Sequence, residues 1–450
     1  MGCHVAVTLQ ERLGQGLATS SELQNATGLS QTTVARQLRE LGDAIVRIQH
    51  GRTVHYGLTH HAFGAANAIP LHRVDAYGNH VLVATIFPLV HGGFFVTPTT
   101  GTPAVLAGVN RDGLFEDLPY FLDDLRPQGF LGRQIAHELA ARDGRFPNDP
   151  AQWTTDHVGR YLVANGDDLP GDLILGEQIH LRLRRPPTPI TEADYPRLAE
   201  SVLAGEIPGS SAGGEQAKFT AYRADRGHVI VKFSPKGDEP VARRWRDVLI
   251  TEHHAAETMD SFGFPAAQTR LFADGGRVFL ESARFDRHGA QGRLPMISLR
   301  AVDAEFTGLG SDWPRVMQAL AERNLVSQEH ATDALAMWAF GRLIHNTDMH
   351  LGNLSLAMDG HVFRLLPAYD MCSMGFAPRA NEVRPPSFAR PEFAALRLPD
   401  SVRAWPQKLA CRFWRAVGDD PRISAEFREF IADERLADEA IWVVSDEVGQ

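Results

Sequence analysis

Residues 345–356 read H-N-T-D-M-H-L-G-N-L-S-L and follow D-A-L-A-M-W-A-F-G-R-L-I, a run apolar on nearly every face, as in a buried helix. Asp, His and Asn so close to an apolar core are costly unless they are used. Asp348 and Asn353 stand five positions apart. The run L-S-L-A-M-D-G-H-V-F-R-L then predicts a short β-hairpin, which leads through L-P-A-Y to Asp370. Phosphoryl transfer needs groups in this order. One carboxylate orients an acceptor hydroxyl and takes its proton, and an amide oxygen and a second carboxylate hold magnesium against the phosphates. Asp348 is the candidate base, and Asn353 and Asp370 are the candidate metal ligands. The plainer alternative has Asp348 and Asn353 capping turns and Asp370 ordering a loop.

Upstream, H-V-I-V-K-F (228–233) is a β-branched strand with Lys232 inside it. A lysine there needs an anionic partner, and a nucleotide phosphate is one. The alternative is an edge lysine that snorkels to water. Glu252, in the helix after this strand, is placed to pair with Lys232, with Glu257 as its rival. Before the strand, P-G-S-S-A-G-G-E-Q-A-K-F (208–219) offers backbone that can approach phosphate around Ser210, Ser211, Gly213 and Gly214, followed by Lys218. It is not a Walker A loop, and a flexible linker is the competing reading.

These segments together resemble HipA-like kinases. G-S-S-A-G-G-E-Q-A-K-F is similar to their phosphate loop and H-V-I-V-K-F to their nucleotide-lysine strand. E-S-A-R-F-D-R (281–287) looks like their hinge, and N-T-D-M-H-L-G-N-L-S-L with L-L-P-A-Y-D resembles their catalytic and metal-binding segments. L-P-Y-F-L-D-D-L-R-P-Q-G-F-L-G-R, from residue 118, is similar to part of their amino-terminal subdomain. The resemblance covers roughly 66–430. It implies ATP and Mg2+ as cofactors, Asp348 as base, and Asn353 and Asp370 on the metal. Lys232 would lie on the phosphates, with adenine near the backbone of Ala283 and Phe285. It also implies self-phosphorylation on Ser210 or Ser211. Further implied are a separate antitoxin and a protein substrate in translation, such as an aminoacyl-tRNA synthetase. The sequence departs from the family in a loop one residue longer and in Ala283, where a glutamate is common.

The front of the chain adds a unit of its own. Ser20 or Ser21 can cap a helix that stops at Gly28, and Ser30 can cap Q-T-T-V-A-R-Q-L-R-E-L, whose Val34, Leu38 and Leu41 share a face. Two alternating runs around a His-Gly turn follow. This pattern resembles a winged helix-turn-helix over residues 1–62. Arg36, Arg39, Arg47 and Arg52 fall on the supposed recognition helix and wing. The unit's charges nearly balance, so duplex DNA binding is expected to gain from a homodimer. The alternative is a unit that makes only dimer or intramolecular contacts.

Composition excludes other classes. The net charge of −10 gives no global field for nucleic acid or anionic lipid. Cys3, Cys372 and Cys411 are scattered, which argues for a reducing compartment. No signal peptide or membrane span is apparent, so a cytoplasmic protein without membrane partners is expected. The 19 histidines show no metal-binding spacing. His350, two residues after Asp348, is the exception and is expected to help position phosphate. The expected fold is α+β, in four parts. These are a winged helix (1–62), a strand-rich subdomain (66–185), a nucleotide-binding lobe (190–310) and a helical lobe (311–450). The function expected is a serine/threonine protein kinase and toxin. The alternatives are a silent kinase fold sensing nucleotide for a transcription regulator, and a small-molecule kinase.

Overall fold

The computed structural model describes residues 7–183, 186–204, 216–379, 382–389, 391 and 400–439. It is a mixed α+β molecule.

The front unit begins with the helix Leu9–Gly14, closed by a Thr8–Glu11 capping box. The next helix, Ser20–Thr27, is capped by Thr19 rather than Ser20 or Ser21. Thr19 is the last extended residue, its side chain accepts from the Glu22 amide, and Glu22 reaches back to the Thr19 amide. The helix stops at Gly28, whose φ of 70° is the left-handed turn that glycine adopts freely. Ser30 caps Gln31–Glu40, which buries Val34 and Leu38 on Leu9, Leu13 and Leu23. Strands Ile45–His50 and Thr53–Leu58 form a hairpin, and Ala18–Thr19 adds a third strand. The hairpin does not stand free. Val46 and Ile48 pack on Leu89 and Phe95 of the following segment, and the Val90 amide donates to the Leu58 carbonyl.

That segment holds a five-stranded antiparallel sheet in the order Leu114–Phe115, Phe94–Pro98, His80–Pro88, Ile69–Val74, Leu173–Leu175. It is less strand-dominated than its Gly and Pro punctuation suggests. Helices Gly129–Arg142 and Thr155–Asn165 cross it, the second burying Val158, Tyr161 and Leu162 at helical spacing.

A second five-stranded sheet runs Thr269–Asp274, Arg277–Ala283, Gly227–Phe233, Lys218–Arg223, Pro189–Ile190, with the long helix Pro240–Ser261 packed on it. After it, R-F-D-R (284–287) turns inward. Arg284 and Arg287 reach Asp168 at 2.9 and 3.0 Å, and Asp286 accepts from the Gly171 amide at 3.0 Å. The rest is helical: Leu299–Phe306, Trp313–Glu322, Gln328–Leu343, Asp400–Asp419 and Ala425–Asp433. A three-stranded sheet of Ile297–Ser298, Ser355–Asp359 and Val362–Leu365 is set among them. One continuous core joins the first five-stranded sheet to these helices. Among the described residues no helix is long and apolar enough to cross a membrane.

Candidate active site

Lys232 is not an edge lysine. Its strand, Gly227–Phe233, lies between Lys218–Arg223 and Arg277–Ala283, so its side chain is buried. The buried ammonium meets Glu252 Oε1 and Oε2 at 2.6 and 2.7 Å and Asp370 Oδ1 at 2.7 Å. Glu257 turns instead toward His253 and His254 and is largely exposed. Burial works against the charge of Lys232, but Asp370 and Glu252 outweigh it and raise its pKa above the ordinary lysine value. Burial also opposes the charge of Asp370, yet Lys232 and Lys218 bring that carboxyl down to about 2. At Glu252 burial wins over Lys232, and the carboxyl is pushed up.

The catalytic segment hangs on the end of helix Gln328–Leu343. The chain turns through His345, held at a φ of 58°, and Asp370 takes a φ of 54°. Left-handed backbone is uncommon outside glycine and gathers at functional sites. Between these turns the buried Asn346 accepts from the Asp348 amide at 3.0 Å and donates to the Asp370 carbonyl at 3.5 Å. One amide thus ties the candidate base to the candidate metal ligand. Asp348 itself is half exposed. Asn353 donates to the Asp348 carbonyl at 2.7 Å, and its amide oxygen accepts no hydrogen bond from a described residue. Asp370 spends Oδ1 on Lys232 and keeps Oδ2. An amide oxygen and a carboxylate oxygen are the hard donors that suit magnesium, which keeps several waters and phosphate oxygens of its own. Among the described residues no cluster of three His, Cys, Asp or Glu side chains forms a metal site.

His350 caps the turn Leu351–Asn353, its Nδ1 accepting from the Gly352 amide, and its Nε2 lies 3.7 Å from Asp348 Oδ1. Trp313 donates to the His350 carbonyl at 2.9 Å. Tyr369 donates to the Gly352 carbonyl at 2.9 Å and bonds Ser355 at 2.7 Å. Lys218, Lys232, Asp348, His350, Asn353 and Asp370 all line one cavity of about 990 Å³. Two residues from outside the motifs also line it. Arg300 is in the first turn of helix Leu299–Phe306, and Asp124 comes from the preceding sheet segment.

The other expected residues fall elsewhere. Ser210, Ser211, Gly213 and Gly214 lie outside the described residues. Ala283 and Phe285 are off the cavity wall. The Ala283 amide already donates to the Gln268 carbonyl at 2.8 Å, and the Phe285 ring packs on Tyr369. Arg36, Arg39, Arg47 and Arg52 are all exposed on the front unit. Arg36 is paired with Glu40 at 2.6 Å, and Arg39 donates to the Ala35 carbonyl.

Comparison with known proteins gives consistent results. Residues 65–184 match the YjjJ-like toxin middle domain, and residues 210–433 match the HipA-like C-terminal domain. The chain is 36% identical over 432 residues to Toxin YjjJ of Escherichia coli (strain K12), covering 93% of this chain and 94% of that one. Among solved structures it is similar to a chain of the Shewanella oneidensis MR-1 complex of HipA, HipB and operator DNA. There the TM-score is 0.58 and the identity 18%, over 82% of this chain and 96% of that chain, a likeness of fold.

Proposed function

Because the chain belongs to the family of YjjJ-like toxins with a HipA-like carboxy-terminal domain, we propose that it is a toxin that works as a serine/threonine protein kinase, using ATP and magnesium. The observation that carries this reading is the contact of Lys232 with both Glu252 and Asp370 in the cavity that Asp348 and Asn353 also line. Glu252 fixes the lysine head group for the nucleotide phosphates. Asp370 and Asn353 hold the metal, which when bound neutralises charge on those phosphates. Asp348, held by the Asn346 amide oxygen and half open to the cavity, accepts the proton of the acceptor hydroxyl. His350 steadies the turn between them.

Incubation with labelled ATP and magnesium, followed by phosphosite mapping on the protein and on a cell lysate, tests the reading. Phosphate is expected on Ser210 or Ser211 of the parent and not in Asp348→Asn. A phosphoserine adds about −1.5 to −2 charges. Beside the phosphate site it is expected to lower ATP affinity. Active enzyme with neither serine modified would leave the loop as a plain phosphate cradle. In the lysate, targets in translation, an aminoacyl-tRNA synthetase among them, are expected. ATP binding without any transfer would make the protein a nucleotide sensor, and label confined to metabolites would make it a small-molecule kinase.

The four-part division, with a winged helix-turn-helix over residues 1–62, belongs to the same proposal, as do a cytoplasmic setting and a homodimer. The Shewanella complex joins a HipA, a HipB and operator DNA. By analogy this chain is proposed to meet an antitoxin and duplex DNA, with Arg36, Arg39, Arg47 and Arg52 on the phosphates. The full chain should shift duplex DNA at low salt. Changing each of these arginines to alanine should flatten the slope of log affinity against log salt by about 1. No shift at any salt would make the unit an assembly module.

A further inference from the structure

Arg300 has no role in the motifs, yet it stands at the catalytic turn. Its guanidinium carbon lies 3.9 Å from the point where a Cβ on Gly352 would sit, between His350 and Asn353. Its place in its own helix is a poor one for a cation. Ser298 caps Leu299–Phe306, so Arg300 falls in the first turn, where the helix dipole disfavours positive charge. No basic residue is needed there for folding. The nearest acid, Asp124, does not consume it. Asp124 is taken up by the Ser298 amide at 2.8 Å and the Ser298 hydroxyl, and its closest approach to Arg300 is 3.9 Å. The guanidinium is left about half exposed, on the wall of the cavity that holds Asp348.

Which side of the catalytic turn it serves can be read from its neighbours. Lys232, Lys218 and His350 are the cations that act on Asp370, the metal-side carboxylate. Arg300 acts instead on Asp124 and Tyr369. Tyr369 meets it across the Gly352 carbonyl and Ser355, on the flank of the turn away from the Lys232 ammonium. The nucleotide therefore has its own cations, and Arg300 faces the approach of the acceptor.

We propose that Arg300 is a specificity-determining residue that binds an acidic side chain next to the serine or threonine being phosphorylated. Asp124 and Ser298 hold the helix end in place, so the segment before residue 175 helps to build the substrate site. The acceptor class is then a Ser or Thr flanked by Asp or Glu. Gly352 fits this use, since a side chain there would crowd the His350 ring at 3.0 Å and stand beside the guanidinium.

The proposal rests on the protein-kinase reading, and its test separates the two. Full-length protein is given a serine peptide library with single Asp, Glu, Lys or Arg substitutions around the acceptor. The parent is expected to favour an acidic residue at one flanking position by roughly three- to tenfold, the worth of one partly exposed charge pair. Arg300→Lys should keep that preference, Arg300→Ala should lose it, and Arg300→Glu should turn it toward Lys or Arg. KM for ATP should stay within about twofold of the parent in all three. A parent without acidic preference, or an Arg300→Glu variant that retains it, overturns the proposal. So does a rise in KM for ATP with peptide preference intact, which would put Arg300 on the nucleotide. If the parent labels only itself, the same peptides are scored as inhibitors of self-labelling, with the same expectations. A parent without any phosphoryl transfer ends the kinase reading, and this proposal with it.

Discussion

Asp348→Asn is expected to lower phosphoryl transfer by roughly a thousandfold or more while Mg-ATP still binds. A positioned base contributes about 10²–10⁴ in rate, and this residue is also the one proposed to orient the acceptor hydroxyl. Asparagine keeps the shape of the side chain and its place in the turn. The backbone amide of residue 348 would still donate to Asn346, and the carbonyl would still accept from Asn353. Asp348 touches neither Lys232 nor Glu252, so the nucleotide side should survive. Single-turnover transfer measured beside calorimetric titration of Mg-ATP separates the two effects. Transfer within tenfold of the parent would remove Asp348 from the role of base.

Lys232→Met should cost both nucleotide affinity and about 3–5 kcal/mol of stability at neutral pH, since it leaves Glu252 buried without its cation. The deficit should depend on pH in a defined sense. In the parent the Asp370 carboxyl titrates at about 2, below its unfolded value near 3.9. Its contribution is therefore complete above about pH 4 and is lost as the pH falls toward 2. In the variant no ammonium holds either carboxylate down, and burial already raises Glu252 in the parent. Both groups would then bind protons more readily folded than unfolded. The gap between variant and parent should narrow on going from pH 8 to pH 5. Urea melts at the two pH values measure this directly. A variant as stable as the parent at pH 8 would mean that the buried pair contributes little.

The parts of this site that were legible in the sequence are those whose spacing is local. The interval from Asp348 to Asn353, the hairpin before Asp370 and the apolar helix before His345 all appear as read. Glu252 was legible as a partner of Lys232, although choosing it over Glu257 needed the helix to be placed on the sheet. Thr19 was misjudged as a cap because Ser20 and Ser21 are equally good capping residues, and only the chain's entry from an extended strand decides among them. Helix Thr155–Asn165 was hidden by surrounding loop residues. Asn346 is two positions from Asp348 and carried a signal, a polar residue next to the motif. Its bond to Asp370 is a contact across 24 positions. Arg300 and Asp124 had no such signal, since Asp124 meets Ser298 across 174 positions. Ala283 carried the opposite difficulty. Its resemblance to a hinge was clear, but its amide is already engaged by Gln268.

The buried ions of R-F-D-R also bear on where such a chain can be divided. Proline-rich residues 186–189 are the obvious place to cut in the sequence, but the cut would separate Asp168, Leu169 and Gly171 from Arg284, Asp286 and Arg287. Two arginines and an aspartate, each exposed by 9% or less, would face water on an isolated carboxy-terminal fragment without the oxygens and amide that now satisfy them. Such charges are tolerated in an interior only while they are paired. A fragment beginning after residue 189 should therefore be insoluble or misfolded, and its inactivity would say nothing about chemistry. The interchangeable joint lies earlier, near residue 60, where the front unit meets the rest through a few apolar side chains and a pair of strand-end hydrogen bonds. Evolution can exchange what comes before that point, and it must carry everything after it as one inheritance.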